Sequence, residues 1–396
     1  MKELAINGGH PVRKNLLPYG RQNINEEDIN EVVKTLKSDF LTTGPKVKEF
    51  EDDVCNYVGA KYAVAVSSAT AALHIACLSA GIKQGDEVIV TPMTFAASSN
   101  CILYCNATPV FADIEADTGN IDINSVEEKI TYKTKAVIAV DFTGHPVDLD
   151  RLKDICKKNN LILIEDASHA LGSEYKGKKI GSIADMTIFS FHPVKPITTG
   201  EGGMVTTNSK ELYNRLLLFK SHGITRDREF MIENHGPWYY EQLELGFNYR
   251  LPDINCALGI SQLKRLNSFI KERRYIVRKY NNLLKDIKEI EIPVEKDYSK
   301  SGYHIYIIRP NLDKLRVSRK EIFEALRAEN IGVNVHYLPV YLHPYYKKLG
   351  YDKGLCKNAE EFYNRIITLP LHPSMTEKDI DDVVNAVNKV INYYKM

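Results

Sequence analysis

A helix-flanked α/β domain on a largely parallel sheet, followed by a smaller α+β domain, is the fold this 396-residue sequence predicts. Three observations predict it. From residue 61 onward, short continuous Val/Ile/Leu runs alternate with helical patterns, as strands covered on both faces by crossover helices do. That rhythm breaks over residues 222–248, which hold two His-Gly pairs and Gly236-Pro237-Trp238-Tyr239-Tyr240. The length, finally, is enough for two domains.

The elements follow in order. Residues 1–19 read as an irregular arm with Asn7-Gly8-Gly9, Pro11 and Pro18. Asn25-Glu26-Glu27-Asp28 reads as a helix start, with carboxylates near the positive end of the dipole. Helical spacing then runs through Ile29, Val32, Val33 and Leu36, and a second helix is expected over 47–58. Strands are expected at 62–66, 87–91, 109–112, 136–140, 161–165, 186–191 and 203–206. Helices are expected between them at 70–80, 95–104, 125–130 and 149–158. A loop as long as 222–248 in a compact protein covers a site or an interface, and it is read here as part of a substrate site. Pro252 opens a long helix. A strand at 303–308, a helix at 320–328, a strand at 332–336 and a terminal helix after Pro373-Ser374-Met375-Thr376-Glu377 complete the chain. This divides it into a large domain at 20–255 and a small domain at 256–396, joined by the arm 1–19.

Lys plus Arg total 52 against 51 Asp plus Glu, a formal charge of +1, which gives no case for a nucleic-acid partner. No run approaches the roughly 20 apolar residues that span a bilayer, and Met1 to Ile6 carries no signal-peptide core. The seven cysteines are scattered. The one close pair, Cys101 and Cys105, has poor zinc spacing, so no metal is expected. A reducing, cytoplasmic setting fits.

The chemistry centres on Ser190-Phe191-His192-Pro193-Val194-Lys195-Pro196, followed by Thr198-Thr199-Gly200-Glu201-Gly202-Gly203. A lysine after an apolar run, beside hydroxyls and glycines, suits bonding to a cofactor aldehyde next to a phosphate site. Most lone lysines are solvated surface groups, so the weight comes from the other motifs. Glu165-Asp166-Ala167-Ser168-His169 ends a buried run at the strand edge where open α/β sheets bind ligands. One of the two carboxylates faces the ligand, and alternation does not choose between them. Ser67-Ser68-Ala69-Thr70 lies between a strand and a helix, an anion site at a helix N-terminus or simply a cap. Ser190 offers another hydroxyl. Phe95 is a candidate to stack on a flat ring, or a core phenylalanine. His169 can hydrogen-bond a cofactor hydroxyl or cap a loop. Together these partners suit pyridoxal phosphate.

The chain resembles the pyridoxal-phosphate-dependent sugar aminotransferases of the DegT/DnrJ/EryC1/StrS family over nearly its whole length. The resemblance rests on Ser68-Ala69-Thr70-Ala71-Ala72-Leu73-His74, Thr91-Pro92-Met93-Thr94-Phe95, Pro109-Val110-Phe111-Ala112-Asp113, Glu165-Asp166-Ala167-Ser168-His169-Ala170, the Lys195 segment and Gly246-Phe247-Asn248-Tyr249-Arg250-Leu251. It implies the type I aminotransferase fold, with a mostly parallel seven-stranded sheet in the large domain, and a homodimer with shared active sites. Lys195 would be the lysine that bonds the aldehyde, and Asp166 the partner of the pyridine nitrogen. Phe95 would stack on the ring, and Ala69, Thr70 and Ser190 would hold the phosphate, with His169 near the ring hydroxyl. Asn248 would reach the phosphate of the other subunit's cofactor, and Arg250 would bind substrate or phosphate across the same interface. Family members often have glycine where this chain has Ala69.

A narrower likeness is to the PseC-type enzymes of pseudaminic acid biosynthesis. It is carried by residues 189–199 and 168–175, by Asp141-Phe142-Thr143-Gly144 and by Val335-His336-Tyr337-Leu338-Pro339; that group usually has alanine where this chain has Gly200. It implies amination, by L-glutamate with release of 2-oxoglutarate, of C4 of UDP-2-acetamido-2,6-dideoxy-β-L-arabino-hexos-4-ulose. The cofactor would alternate between pyridoxal and pyridoxamine phosphate. Arg250, His336 and Tyr337 are candidates for the sugar nucleotide; the last two are equally read as small-domain core or surface. Other UDP- or dTDP-4-keto sugars, a dehydratase on the same fold and a non-catalytic role are the alternatives. Dehydratase relatives replace the lysine with histidine, which argues against that reading.

Overall fold

The computed structural model describes residues 3–396; Met1 and Lys2 of the expected arm lie outside the described residues. Helix α1 (Glu26–Leu36) starts as expected: the Asn25 side chain accepts the Asp28 amide and Asp28 accepts the Asn25 amide, a capping box. Helix α2 (Pro45–Val58) places proline at its first turn, where no amide is needed. There follow β1 (Tyr62–Val66), α3 (Ala69–Ser79), β2 (Glu87–Val90), α4 (Ala97–Tyr104), β3 (Thr108–Phe111), α5 (Ile123–Glu128), β4 (Thr134–Val140), α6 (Leu149–Lys158) and β5 (Ile162–Asp166). Two short strands, β6 (Glu174–Tyr175) and β7 (Lys178–Lys179), precede β8 (Met186–Ser190), β9 (Gly203–Thr207) and α7 (Lys210–Lys220).

The main sheet has seven strands in the order β1-β9-β8-β5-β4-β2-β3. Only β9 runs against the rest. The C-terminal ends of β1, β8, β5, β4 and β2 therefore share one edge, and the loops that leave them converge there. The β8–β9 connection crosses back along that edge and carries Lys195. The sheet faces are apolar, as the continuous runs require: Val64, Val88, Ile138, Ile164 and Ile188 pack on one side, Ile89, Val137, Leu163 and Phe189 on the other.

Residues 222–248 include a small hairpin of β10 (Ile224–Thr225) with β11 (Glu241–Gln242). Helix α8 (Asp253–Leu284) starts after Pro252 and runs 32 residues; residue 256 lies in its first turn. Asp253 caps the start of α2, accepting the Gly44 and Lys46 amides. Beyond α8, β12 (Ile290–Glu291) leads to β13 (Ser299–Lys300), which pairs back to β6. Then come β14 (Tyr306–Pro310), α9 (Arg319–Ala328), α10 (Pro344–Lys348), α11 (Lys357–Arg365), β15 (Ile367–Leu369) and α12 (Glu377–Tyr394). Strands β12, β14 and β15 form an antiparallel sheet, and its core includes Tyr306, Ile308, Ile322, Val383 and Val387.

Two sequence expectations are corrected here. The strand expected from Tyr303 begins at Tyr306, because Tyr303 has positive φ and His304 turns back to donate its amide to Thr143. The strand expected at 332–336 is absent: only isolated bridges form, Leu17 with Ile331 and Asn334 with Thr368. The Asn334 side chain accepts the Val335 amide, competing with any ladder.

Gly203 sets how closely the strand edge approaches the turn into α3. A Cβ there would lie 2.5 Å from the Ala69 nitrogen and from the Ser68 carbonyl. Gly203→Ala must displace that backbone or bend β9. A loss of about 1–3 kcal/mol is expected in urea unfolding; a change within about 0.5 kcal/mol would show that the turn yields freely.

Candidate active site

The strand edge holds a cavity of about 560 Å³. It brings together Ala69, Thr70, Phe95, Asp166, His169, Ser190, Lys195, His336 and Tyr337. Nine of the sequence candidates thus meet in one space, although they come from five separate segments. Asn248 and Arg250 do not line it, and neither does any other residue of 222–248. Asn248 bridges to Ser221, and Arg250 pairs across Val66 and donates to the Ser221 hydroxyl at 3.2 Å. Exposed apolar groups instead stud the long loop, among them Ile232, Trp238 and Leu245.

Ser68 is the N-cap of α3, its hydroxyl accepting the Ala71 amide at 3.1 Å. The Ala69 and Thr70 amides fall in the first turn, where no carbonyl one turn back can accept them. They border the cavity with the Thr70 hydroxyl and Ser190, a set that suits an anion. The Ser67 amide donates to the Tyr249 carbonyl at 2.8 Å, which ties this turn to the segment carrying Asn248 and Arg250.

Between Glu165 and Asp166, the fold chooses Asp166 for the cavity. Its carboxylate takes three donors: the Ser98 hydroxyl at 2.6 Å, and the Ser168 amide at 3.1 Å and hydroxyl at 2.6 Å. Ser98 spends its proton on Asp166, so the Thr94 hydroxyl, 2.7 Å away, donates to Ser98. Glu165 lies wholly buried on the other face, accepting the Thr187 hydroxyl at 2.7 Å.

Lys195 is held by its backbone. Its amide donates to the His192 carbonyl, Thr199 donates to the Phe191 carbonyl, and Phe191 donates to the Gly202 carbonyl. The Thr198 hydroxyl donates to the Phe191 carbonyl and the Thr199 hydroxyl to the Glu201 carbonyl. These two threonines serve the loop, not an anion. Burial pushes the Lys195 ammonium down to about 8, with Asp166 pulling the other way.

The far wall comes from the small domain. Tyr337 lies 3.3 Å from His169 Nε2, and its ring centroid is 6.3 Å from that of Phe95. Phe95 is 63% exposed, an open apolar face at the cavity mouth. His336 Nδ1 meets the Thr368 hydroxyl at 2.9 Å. Burial, and then the Lys195 charge, lowers His336 to about 4 and His169 and His304 well below the usual histidine range. All three are neutral near pH 7.

Sequence reasoning missed Tyr19, Ser98, Ser168 and His304, which also border the cavity. The signal for Ser98 was its place four residues after Thr94, at the first turn of α4. Tyr19 and His304 carry no local signal: one sits in an irregular arm, the other before a short strand. The buried oxygens, first-turn amides, amine and open aromatic face fit a phosphorylated pyridine aldehyde. The charges facing the cavity are Asp166, Lys195 and Glu201; no arginine is among its lining residues.

Residues 22–388 match the DegT/DnrJ/EryC1/StrS aminotransferase family. A Campylobacter jejuni UDP-4-amino-4,6-dideoxy-N-acetyl-beta-L-altrosamine transaminase is 43% identical over 383 residues, 96% of this chain and 99% of its own. The Bacillus subtilis spore coat polysaccharide biosynthesis protein SpsC is 42% identical over 381 residues, 96% of this chain and 98% of its own. The structure of a Streptococcus pneumoniae sugar aminotransferase in its PLP form superposes with a TM-score of 0.89 at 34% identity, covering 96% of this chain and 99% of that one. On the extent of these matches, the chain belongs to the DegT/DnrJ/EryC1/StrS aminotransferase family.

Proposed function

We propose that this aminotransferase moves an amino group from L-glutamate to C4 of a UDP-linked 4-keto-6-deoxyhexosamine, UDP-2-acetamido-2,6-dideoxy-β-L-arabino-hexos-4-ulose, as in pseudaminic acid biosynthesis. Pyridoxal phosphate is its cofactor; when bound, it supplies the electron sink that makes the amino-bearing carbon acidic. The observation that carries the reading is a desolvated amine, Lys195, sharing one cavity with a carboxylate, Asp166, fixed by three donors.

Each residue then has a task. Lys195 Nζ would hold the aldehyde, and its amine would take the proton from the glutamate α-carbon and return one to sugar C4 in the second half-reaction. A base near the working pH does both at little cost. Asp166 would hold the ring nitrogen and keep it protonated. The Ala69 and Thr70 amides, with the Thr70 and Ser190 hydroxyls, would hold the phosphate, Phe95 would cover the ring, and His169 would hydrogen-bond the ring hydroxyl. His336 and Tyr337 line the side from which the sugar enters. Neutral histidines there can donate or accept without adding charge beside Lys195.

A phosphate, a dicarboxylate donor and a nucleotide diphosphate need more cations than Lys195 alone. That shortage supports a homodimer in which the partner's copies of Asn248 and Arg250 reach this cavity. The exposed apolar groups of residues 222–248 support the same interface. The seven free cysteines support a reducing, cytoplasmic setting, and no helix among the described residues is long and apolar enough to cross a membrane. The likeness to the spore coat protein favours a second reading, a different UDP- or dTDP-linked 4-keto sugar for a surface polysaccharide.

Three outcomes are expected. Capture of pyridoxal phosphate by the apoprotein accelerates with pH up to a plateau above about 8, the range to which Lys195 is lowered, and Lys195→Ala abolishes it; a rate flat across that range would contradict the assignment. Mixing Lys195→Ala subunits with Asn248→Ala/Arg250→Ala subunits restores roughly a quarter of wild-type activity through random dimers, and no recovery would contradict shared sites. With glutamate and a panel of UDP- and dTDP-linked 4-keto sugars, the β-L-arabino UDP substrate turns over fastest, read by NMR of the product; equal or faster turnover of a dTDP or D-configured sugar would favour the second reading.

A further inference from the structure

We propose that Asp141 and Glu165 form a buried acid pair, holding a proton between them behind Asp166, and that the pair is a positioning element for that aspartate. Neither side chain lines the active-site cavity, although both residues belong to sequence motifs singled out above. Val140, the last residue of β4, pairs with Asp166 on β5, and the Asp141 amide donates to the Asp166 carbonyl at 3.1 Å. Glu165 precedes Asp166 on the same strand, with its side chain on the opposite face. Neither Asp141 nor Glu165 has measurable exposure.

The hydrogen-bond accounting forces a proton into this space. Asp141 Oδ1 accepts the Val147 amide at 3.0 Å, and Glu165 Oε2 accepts the Thr187 hydroxyl at 2.7 Å. The other oxygen of each, Asp141 Oδ2 and Glu165 Oε1, is buried with no donor. Ionised carboxylates carry acceptors only. Two of them would leave both oxygens unsatisfied and facing like charge, at a cost paid twice. One proton turns the two orphan acceptors into a single O–H···O bond between the two side chains.

No cation offsets this. The charged groups acting on the pair are each other and Asp166, from strands β4 and β5; β8 contributes only the Thr187 hydroxyl, and the segment before α6 only the Val147 amide. Among the described residues, neither carboxyl joins an ion pair with Lys, Arg or His. Burial first, and then the neighbouring carboxyl, raises Asp141 well above the carboxylate range; burial raises Glu165 to about 7. The shared proton thereby spares Asp166 one of two further negative charges on its far side.

The existence of the pair does not depend on the cofactor. Its effect on Asp166 rests on the proposed role of that residue, so the two are measured separately. Wild type, Glu165→Gln and Asp141→Asn are compared; each amide supplies the missing donor without a titrating proton, so either variant suffices if the other fails to fold. In infrared difference spectra, wild type shows a protonated-carboxyl band at about pH 6 that both variants lose. The folded pair binds its protons more tightly than the unfolded chain. Its stabilisation is therefore present at low pH and lost as pH rises through about 7. Wild-type melting temperature falls relative to Glu165→Gln from about pH 5.5 to about 9. The depressed histidines act oppositely but equally in both proteins, so they cancel in the comparison. A missing band, or parallel melting profiles, overturns the pair. In the cofactor-loaded protein, visible absorption changes through the same pH range in wild type and not in Glu165→Gln. An unchanged spectrum with the band present overturns the positioning role. Failure to bind cofactor at all counts against the proposed function, while the infrared and melting comparisons still decide the pair.

Discussion

Six of seven strands pointing one way is the constraint on which the rest of this structure depends. Parallel strands need crossover connections, so the strand ends at one edge open into loops, and those after β1, β2, β3 and β4 lead into helices. The Ser68 turn, the Phe95 turn, Asp166 and its following turn, and Ser190 all arrive at that edge without any direct sequence proximity. Strand β9 runs the other way and returns the Lys195 loop to the same edge. It must come close to do so, which is why Gly203 sits against the Ser68–Ala69 backbone.

The site is built with few charges and many fixed dipoles. One amine and one hydrogen-bonded carboxylate sit in the large-domain half, with Glu201 beside them. The small-domain half adds neutral groups, His304, His336 and Tyr337. In such surroundings a lysine sheds its proton more readily than in water, and a carboxylate stays in place only if its oxygens all receive donors. Asp166 meets that condition through Ser98 and Ser168; Asp141 and Glu165, one layer behind, meet it only by keeping a proton between them. The same economy leaves Lys195 as the one lysine or arginine among the residues that line the cavity of one chain.

Much of this was legible in the sequence because strand ends are marked by composition. Apolar runs that stop at Glu165-Asp166, Ser67-Ser68 or Ser190 announce both the sheet and its functional edge. The family resemblance added Phe95, His169 and Asn248, for which residue chemistry alone left bland readings open. Legibility failed where a residue's place depends on long-range packing. His304 looked like the second residue of a strand, but the turn at Tyr303 brings it beside His169 instead, with ring centroids 4.5 Å apart. Tyr19 lies in the arm, and long-range backbone bonds, the Leu371 amide to its carbonyl and the Gly332 amide to the Leu17 carbonyl, fix it beside His336. The long loop's aromatics signalled a site or an interface without saying which; Trp238 is exposed on the isolated chain.

The central claim is that Lys195, among all lysines of the chain, carries the cofactor. Borohydride reduction of the purified holoprotein, followed by peptide mass mapping, tests it most directly. The account predicts one phosphopyridoxyl group per chain, on the peptide that contains Lys195. Modification of a different lysine, or none in protein shown to contain the cofactor, would contradict it.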